Sequence, residues 1–242
     1  MHAAIVTGVS RGLGESLAAT LLQRGFTVLG VGRANSARLT GERYRFVRID
    51  LGDTARIGAV LGPSFSALAG EKPASVCLIN NAAMASPVGL LGTLDDAAAA
   101  TSLAVNLAAP IVLANLFCRV FGHDGAARRI INVSSGAAQR ALPGETMYCV
   151  GKAGLEMLTA ALAAEQQGSD FQAISVRPGI IDTDMQVFAR SQSREVLPCV
   201  DMFVEFHSQG RLVPPDTVAA KIVDRLVLGE VENGRTYPYH EL

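Results

Sequence analysis

The beginning of the chain limits strongly what it can fold into. Residues 3–7, AAIVT, form a continuous apolar run, which is typical of a strand that is buried on both faces. Residues 7–14, TGVSRGLG, follow at once and place three glycines where this strand must turn into a helix. A buried strand that leads directly into a helix predicts a parallel sheet with helices packed on it.

The same alternation of short apolar runs and longer helical segments continues along the chain, which predicts a Rossmann-like, doubly wound α/β fold. No linker, repeat or change in composition interrupts the 242 residues, so residues 1–242 are expected to form a single domain. The predicted strands occupy residues 3–7, 27–31, 45–50, 75–80, 129–134, 172–177 and about 235–239. The predicted helices occupy residues 13–24, 54–69, 94–121, 146–166 and a last segment that starts near Asp216 or Thr217 and runs to about Leu228.

The composition argues against several classes of protein. The formal net charge is −1, and this balance gives no reason to expect binding to nucleic acid. The longest apolar stretches are interrupted by Asn106, Pro110 and Asn115, so no membrane span is predicted. Because a strand begins at residue 3, no secretory signal is expected, and the predicted location is the cytoplasm.

No metal site is predicted from the residues that commonly bind metals. The cysteines are scattered, with no CxxC pair, and are expected to be reduced thiols. The histidines form no cluster in the sequence, so each is expected to be an ordinary surface or core residue. These residues are Cys77, Cys118, Cys149 and Cys199, together with His2, His123, His207 and His240.

The segment 182–213 differs from the rest of the chain. It follows a predicted strand that ends at Arg177, Pro178 and Gly179, and it mixes apolar and polar residues without clean periodicity. A long excursion at the carboxyl end of a parallel strand often covers a binding site, so a helical substrate lid is predicted here. The alternative is an extra pair of packed helices that does not control access to a site.

The glycine-rich turn predicts a site for the pyrophosphate of a dinucleotide. Gly8 allows the sharp turn, Gly12 lets the backbone approach a phosphate, and Gly14 allows the helix to pack closely on the sheet. The amide groups and the positive dipole at the start of the helix attract an anion. Tight turns also need glycine, so the motif gains weight from its position between a strand and a helix.

The end of the second predicted strand indicates which dinucleotide is bound. An acidic residue at this place binds the ribose hydroxyls of NAD, whereas an arginine accommodates the additional phosphate of NADP. The sequence here is VLGVGRAN, with Arg33 and no acidic residue, and Arg11 in the glycine-rich turn could reach the same phosphate. NADPH is therefore predicted in preference to NADH, unless both arginines are simply solvated surface residues.

A tyrosine and a lysine, Tyr148 and Lys152, are four residues apart on a predicted helix, and Ser134 and Ser135 lie a short loop upstream. This spacing puts the two side chains on one face, with Cβ atoms roughly 5–6 Å apart. A neighbouring ammonium favours the ionised form of a phenol, which predicts acid–base chemistry. Such a pair is usually surface decoration when it occurs alone, but here it accompanies a dinucleotide loop in a parallel sheet.

Seven motifs, in this order and spacing, make the chain resemble the short-chain dehydrogenase/reductase family over essentially its whole length. The family usually has glycine where this chain has Ala83, a change of one methyl group that is expected to be tolerated. The motifs are TGVSRGLG at 7–14, Asp50-Leu51, NNAA at 80–83, Asn106, Ser135, YCVGK at 148–152 and PGIIDT at 178–183.

The resemblance implies four catalytic residues. Tyr148 would be the general acid that protonates the carbonyl oxygen of the substrate. Lys152 would lower the pKa of that phenol and hold the nicotinamide ribose, and Ser135 would bind the substrate oxygen. Asn106 would kink its helix and position a water that links Lys152 to solvent.

The resemblance also implies the contacts to the cofactor. Asp50 and Leu51 would lie beside the adenine, and Asn81 and Ala82 beside its ribose. The nicotinamide carboxamide would be fixed by the end of a later strand, which leaves one face of the ring open to substrate. The implied cofactor-binding residues are Gly8, Ser10, Arg11, Gly12, Leu13, Gly14, Arg33, Asp50, Leu51, Asn81, Ala82, Tyr148, Lys152, Pro178, Gly179, Ile181 and Thr183.

Three segments make the chain resemble one branch of the family, namely IDTDMQ at 181–186, GRLVPPDTVAAKI at 210–222 and VENGRTYPYHEL at 231–242. This branch contains sepiapterin reductase and benzil reductase, in which NADPH reduces a ketone or vicinal diketone. An aspartate near the end of sepiapterin reductase anchors the pterin, and Pro238 takes that place here, with Glu241 close by. A diketone is therefore preferred over a pterin. The expected apolar wall residues of the substrate site, each of which could instead be plain core, are Met84, Val88, Met185, Phe188 and Phe203.

Two other functions remain open, an NAD-linked secondary alcohol dehydrogenase and a non-catalytic dinucleotide sensor. The complete set of candidate catalytic residues argues against a sensor, which has no need of a proton donor. The resemblance also implies a homodimer, formed by alanine-rich helices of the regions 94–121 and 146–166.

Overall fold

The computed structural model describes residues 1–122, 125–166, 168 and 170–242 of the chain. Within these residues, seven strands form one parallel sheet in the order β3-β2-β1-β4-β5-β6-β7. All predicted strands are present, and the predicted Rossmann-like α/β fold class is confirmed. The strands are β1 (His2–Thr7), β2 (Thr27–Gly32), β3 (Tyr44–Arg48), β4 (Ser75–Asn80), β5 (Ala127–Val133), β6 (Phe171–Arg177) and β7 (Thr236–Pro238).

Helices cover both faces of this sheet, as the alternation of strands and helices in the sequence predicts. A short 3-10 turn, Gly136–Ala138, follows β5. In the described part of the chain, the α-helices are α1 (Gly12–Gln23), α2 (Ile57–Gly70), α3 (Asp96–Leu103), α4 (Ala109–Phe121), α5 (Thr146–Glu165), α6 (Asp184–Arg190), α7 (Val200–Ser208) and α8 (Pro215–Ile222).

The hydrophobic core lies on both sides of the sheet, because successive residues of a strand point to opposite faces. In β1, Ala3 and Ile5 belong to the core under α2 and α4, whereas Ala4 and Val6 belong to the core under α1 and α8. Both faces of the strand are therefore buried, which explains why its sequence is apolar without interruption.

Two helices differ in detail from their predictions. The predicted helix 94–121 consists of α3, a π-helical turn at Ala104–Ala108, and α4. The last helix begins at Pro215, one residue before its predicted start, because proline fits the first turn of a helix, where its missing N–H is not needed.

The stretch Asp96–Phe121, which contains α3 and α4, is long and apolar enough by length and composition to cross a membrane. In the fold one side of the stretch packs against the sheet, where Leu113 and Phe117 lie in the hydrophobic core, whereas Ile111 on the other side is exposed. The buried amide of Asn106 lies in the middle of the stretch. The apolar composition of the stretch therefore serves the core of the fold.

The segment 182–213 leaves the sheet after β6 and returns to the same place. Ile181 and Val213 form a parallel bridge, and the backbone N–H of Asp182 donates to the carbonyl of Val213 at 3.0 Å. Between these ends, α6 and α7 form a helical excursion with a small hydrophobic core of its own. We call residues 182–213 the lid segment, and the opening and closing of this segment stay a prediction. Its buried core residues are Ala189, Leu197, Val200 and Phe203.

Candidate active site

The candidate site lies at the edge of the sheet where the parallel strands end. β1 pairs with β2 on one side and with β4 on the other, so the chain connections diverge at this point and leave a crevice. The glycine-rich turn follows β1, Asn81 follows β4, and Ser135 follows β5. The topology therefore brings most of the predicted site residues to one edge of the sheet.

The glycine-rich turn requires glycine at the positions that the sequence predicts. Gly8 and Gly12 adopt positive φ angles of 76° and 60°, a region in which other residues are strained. A Cβ atom built at Gly14 would lie 2.2 Å from the carbonyl oxygen of Gly8. The beginning of α1 can therefore approach the turn only because residue 14 has no side chain.

The exposed side of this turn fits an anionic ligand. Ser10 and Arg11 are exposed, whereas Leu13 is buried in the core. No side chain caps the first turn of α1, because Arg11, at the N-cap position, makes no capping hydrogen bond. The amide groups at the start of the helix are thus available to bind the pyrophosphate of a dinucleotide.

The two arginines that were predicted to meet a phosphate have different surroundings. Arg33 is exposed directly after β2, and no ion pair to it is found among the described residues. Arg11 instead forms an ion pair of 2.9 Å with Asp184, the first residue of α6. Arg11 thereby links the glycine-rich turn to the lid segment, and its contact with a phosphate stays a prediction.

Thr7, which was not singled out in the sequence, holds the turns after β1 and β4 together. Its Oγ1 accepts hydrogen bonds from the backbone N–H groups of Asn81 and Ala82 at 2.9 and 3.0 Å. The side-chain amide of Asn81 donates to the carbonyl oxygen of Thr7 at 2.9 Å. Asn81 therefore shapes the crevice, and a contact of Ala82 or Asn81 with a ribose stays a prediction.

Asp50 and Leu51 lie in the turn after β3. The carboxylate of Asp50 is exposed and accepts a hydrogen bond of 2.9 Å from the backbone N–H of Gly52. The side chain of Leu51 is buried in the core. Asp50 thus remains at the surface, where it can face an adenine, whereas any contact of Leu51 with the cofactor has to come from its backbone.

Tyr148 and Lys152 lie one turn apart on α5, as their spacing predicts. Lys152 is 2% exposed, and its Nζ donates a hydrogen bond of 2.6 Å to the carbonyl oxygen of Val133 at the end of β5. The same Nζ lies 5.4 Å from the centroid of the Tyr148 ring. Burial lowers the pKa of Lys152 from 10.5 to about 8, because the interior disfavours the charged form.

The pKa of Tyr148 is raised in this structure, whereas it was expected to be lowered by Lys152. The largest cause is burial, and the negative charge of Glu145 acts in the same direction. A hydrogen bond with Ser135 lowers the pKa but does not outweigh these causes. The phenol of Tyr148 is therefore protonated at neutral pH and is suited to donate a proton.

The two neighbouring serines have different roles in the structure. Ser135 precedes the 3-10 turn, and its Oγ accepts a hydrogen bond of 3.2 Å from the N–H of Ala137 and interacts with Tyr148. The Oγ of Ser134 donates to Glu156 at 2.7 Å, away from the phenol. The structure thus places Ser135, the serine chosen from the sequence, beside Tyr148.

Glu156 was missed in the sequence, although it lies four residues after Lys152 on the same face of α5. Its carboxylate binds Arg177, at the end of β6, through two hydrogen bonds of 2.8 and 2.6 Å. Since Glu156 also accepts from Ser134, it ties α5 to the ends of β5 and β6. The four-residue spacing from Tyr148 to Lys152 and from Lys152 to Glu156 could have shown that Glu156 lies on the same face of α5 as the other two residues.

Asn106 lies in the π-helical turn, where a kink was predicted. Its side-chain amide donates to the carbonyl of Met84 at 2.9 Å and accepts from the N–H of Met84 at 2.8 Å. A Cβ atom built at Gly151 would lie 2.9 Å from the Cβ of Asn106, so Asn106 packs on α5 beside Lys152. The side chain therefore fixes the backbone after β4, and its contact with a water stays a prediction.

The residues after β6 form the other end of the crevice. Gly179 has a positive φ of 81°, and a Cβ atom built on it would lie 3.1 Å from the ring of Tyr239. Pro178 is buried, Ile181 is bridged to the end of the lid segment, and the hydroxyl of Thr183 makes only a long contact of 3.5 Å. This hydroxyl is therefore free to bind a carboxamide.

Two of the predicted apolar wall residues take part in packing, and their contact with a substrate stays a prediction. Phe203 is buried in the core of the lid segment, and Val88 packs against that core. Met185 and Phe188 are partly exposed on α6, and Met84 is held through its backbone by Asn106. The described residues contain no cluster that could bind a metal ion, and His123 lies outside them. All four cysteines are free thiols.

Comparison with known proteins agrees with this geometry. The family model described as short chain dehydrogenase matches residues 2–194. The chain is 30% identical to the benzil reductase ((S)-benzoin forming) of Bacillus subtilis, with 100% of this chain and 99% of that protein covered. It is 32% identical to the sepiapterin reductase of Meriones unguiculatus, with 98% and 95% covered. The crystal structure of the KRED1-Pglu enzyme matches with a TM-score of 0.84 at 25% identity, and covers 98% of this chain and 100% of that chain.

The family match includes the glycine-rich turn, the serine after β5 and the Tyr148–Lys152 pair, which are also the residues that meet at the carboxyl edge of the sheet. The relatives named above are matched over almost their full length. The chain therefore belongs to the short-chain dehydrogenase/reductase family of oxidoreductases, in the branch of the benzil and sepiapterin reductases.

Proposed function

We propose that the protein is a carbonyl reductase that uses NADPH to reduce a ketone or a vicinal diketone, with Tyr148 as the general acid. The observation that carries this proposal is the position of Tyr148 between the hydroxyl of Ser135 and the buried ammonium of Lys152. This arrangement lies beside the crevice in which a dinucleotide of this family would be held.

Bound NADPH supplies the hydride that reduces the carbonyl carbon. The phenol of Tyr148 gives its proton to the carbonyl oxygen, where negative charge develops. Ser135 holds the same oxygen with its hydroxyl. Lys152 stabilises the phenolate that remains, because its ammonium lies within reach of the electrostatic field of the ring.

The protonated phenol of Tyr148 supports its role as the general acid in the direction of reduction. Burial is the largest cause of its raised pKa and keeps the phenol protonated at neutral pH. Because a catalyst accelerates both directions of a reaction, the same group would serve as the base in the alternative, an NAD-linked secondary alcohol dehydrogenase, and the nucleotide preference separates the two. A non-catalytic sensor would need neither form of the phenol.

The preference for NADPH is supported by the exposed guanidinium of Arg33 after β2 and by the lack of an acidic residue at residues 28–35. The preference for a diketone over a pterin is supported by the chain end. Pro238 is the last residue of β7 and offers no acceptor through its side chain, and Glu241 is paired with Arg235 at 2.6 Å. Neither residue is free to bind the edge of a pterin.

A homodimer and a cytoplasmic location complete the proposal. Ile111 on α4, and Val150 and Met157 on α5, are 45%, 50% and 69% exposed, so both helices present apolar side chains to solvent. A second copy that packs on these helices would bury them. A monomer in sedimentation at micromolar concentration would contradict the dimer.

The proposed reaction is tested with a panel of diketones, including benzil, together with pterins and aromatic aldehydes. NADPH consumption is followed near 340 nm, about where reduced nicotinamide absorbs. We expect turnover of benzil with NADPH and weaker turnover with NADH. Fluorescence titration with each nucleotide separates the preference for NADPH from the reaction itself. If the protein reduces none of these carbonyl compounds with either nucleotide, the proposal is rejected.

A further inference from the structure

Glu145 is a buried acid beside Tyr148 that the proposed reaction does not use. Glu145 is only 6% exposed, and no ion pair or hydrogen bond to its carboxylate is found among the described residues. Burial raises its pKa to about 7. Neither carboxylate oxygen is among the fully enclosed side-chain atoms that lack a partner in the described part of the chain, so this largely buried carboxyl group still reaches solvent and a ligand can approach it.

The obvious structural roles do not explain this residue. Glu145 precedes α5 at the N-cap position, but its side chain makes no capping hydrogen bond. Its backbone N–H donates to Leu142 at 3.0 Å, and its carbonyl accepts from Cys149 at 2.9 Å, so only the backbone takes part in the turn and the helix. The carboxyl group itself makes no hydrogen bond or ion pair with the described residues, and it keeps contact with solvent.

Glu145 lies where α5 meets the lid segment. A Cβ atom built on the preceding Gly144 would lie 2.9 Å from the carbonyl oxygen of Val196, so the backbone here touches the lid segment. Burial is the main cause of the raised pKa values of Tyr148 on α5 and of Cys199 at the start of α7, and the negative charge of Glu145 raises both further. Glu145 thus lies three residues before Tyr148 and directly beside the contact with the lid segment.

Glu145 and Tyr148 share the first turn of α5. N-cap and N3 side chains lie on the same side of the first turn of a helix, and Tyr148 is three residues after Glu145. A substrate whose carbonyl oxygen receives the proton of Tyr148 has its substituents in the space under the lid segment. One of these substituents can therefore reach the carboxyl group.

We propose that Glu145 determines substrate specificity by accepting a hydrogen bond from an O–H or N–H group that the carbonyl substrate carries either next to its reacting carbonyl or across a ring from it. This inference rests on the proposed reductase function and narrows its substrate class to hydroxy- or amino-substituted carbonyl compounds. A plain hydrocarbon diketone has no such donor and leaves Glu145 without a partner. A site with a buried polar group discriminates strongly against ligands that do not satisfy that group.

The test uses pairs of substrates that differ only in the donor. They are 2-hydroxyacetophenone with 2-methoxyacetophenone, in which the donor is next to the carbonyl, and 4-hydroxybenzil with 4-methoxybenzil, in which it lies across a ring. For the wild-type protein we expect kcat/KM to favour the hydroxyl compound of at least one pair by about tenfold or more. We expect Glu145→Leu, which removes the acceptor at similar size, to abolish this preference.

Glu165→Leu is the matched control, because Glu165 is exposed at the other end of α5. This variant is expected to keep the preference of the wild type. A wild-type protein without preference in both pairs, or a Glu145→Leu variant that keeps it, overturns the inference. The first of these results needs no variant, so the test holds even if Glu145→Leu does not fold.

Dissociation constants separate this inference from the proposed reaction. Calorimetry on the complex with NADP+ measures how each compound of a pair binds, whether or not it is reduced. Tighter binding of the hydroxyl compound supports the role of Glu145 even in a protein that reduces none of the four. Equal dissociation constants within both pairs overturn it, even if benzil is reduced.

Discussion

The ammonium of Lys152 lies 5.4 Å from the centre of the Tyr148 ring, and both residues project from one face of α5. Lys152 is held in this position by its hydrogen bond of 2.6 Å to the end of β5. Its charge therefore acts on the phenol from a fixed place, and the strength of this action depends on whether Lys152 is protonated.

Tyr148→Phe should remove the proton donor without changing the shape of the site. Because general acid catalysis typically contributes about 10²–10⁴-fold, we expect kcat to fall by about that factor. The dissociation constant of NADPH should stay within about twofold, which fluorescence titration measures, since the ring itself is retained.

Tyr237→Phe is the control for this change. Tyr237 is buried in the core, and its hydroxyl accepts a hydrogen bond of 2.8 Å from the N–H of Glu232. Its loss should lower the melting temperature and leave kcat nearly unchanged. If the two variants had equal kcat values, Tyr148 would not be the general acid.

Lys152→Met should reveal the cost of a buried ammonium through the pH dependence of stability. The pKa of Lys152 is 10.5 in the unfolded chain and about 8 in the folded protein, so between these values the unfolded chain binds more protons. The stability of the wild type relative to the variant should therefore rise by about 3 kcal/mol as the pH increases from about 8 to about 10.5.

Urea unfolding of both proteins across this pH range measures that difference. The contributions of other titrating groups to the free energy of unfolding cancel between the wild type and the variant. A difference that does not change with pH would contradict the lowered pKa. The variant should also lose turnover, because the phenolate of Tyr148 is then no longer stabilised.

Most of the fold could be predicted from the sequence, because strands that are buried on both faces appear as apolar runs. The positions of Gly8, Gly14, Tyr148 and Lys152 could also be predicted, since each is fixed by local geometry at the end of a strand or on one helix face. The choice of Ser135 over Ser134 depended on the family resemblance, and the structure places Ser135 at the phenol.

The direction of the pKa shift of Tyr148 could not be predicted in this way. The spacing to Lys152 indicates an attractive charge, but the burial of the ring depends on residues that are distant in sequence. Thr7 and Tyr239 were missed for the same reason, because their partners lie on other elements, and Glu145 was missed because its burial also depends on residues that are distant in sequence. The bounds of the helices in the lid segment could not be predicted, since these helices pack on a small core of their own.

Asn106→Ala should destabilise the protein and reduce turnover together. The change leaves the backbone N–H and C=O of Met84 without their partner, and each unsatisfied buried group costs about 1–3 kcal/mol. The melting temperature and kcat should both fall. Gln23→Ala is the control, because Gln23 is exposed at the end of α1, and it should change neither quantity. Similar behaviour of the two variants would argue against this role of Asn106.

Arg33→Asp should reverse the preference for the nucleotide. A carboxylate after β2 repels the additional phosphate of NADPH and can accept hydrogen bonds from the ribose hydroxyls of NADH. We expect the Michaelis constant for NADPH to rise by about tenfold or more, and that for NADH to stay equal or fall. Steady-state kinetics with both nucleotides measure this, and an unchanged constant for NADPH would reject the assignment of Arg33.

Gly14→Ala should show that the glycine-rich turn depends on a close approach of α1. The added methyl group would lie 2.2 Å from the carbonyl oxygen of Gly8 and 2.3 Å from the amide of Asn81, so the helix has to move away from the turn. Overpacking of this kind typically costs about 1–3 kcal/mol, and NADPH binding should weaken with it. Gly58→Ala, on α2, is the control, because its Cβ meets nothing within 4 Å, and it should leave stability unchanged or raise it by about 0.4–1 kcal/mol. If Gly14→Ala melted at the temperature of the wild type and bound NADPH as tightly, the turn would tolerate a side chain and would not need glycine for its function.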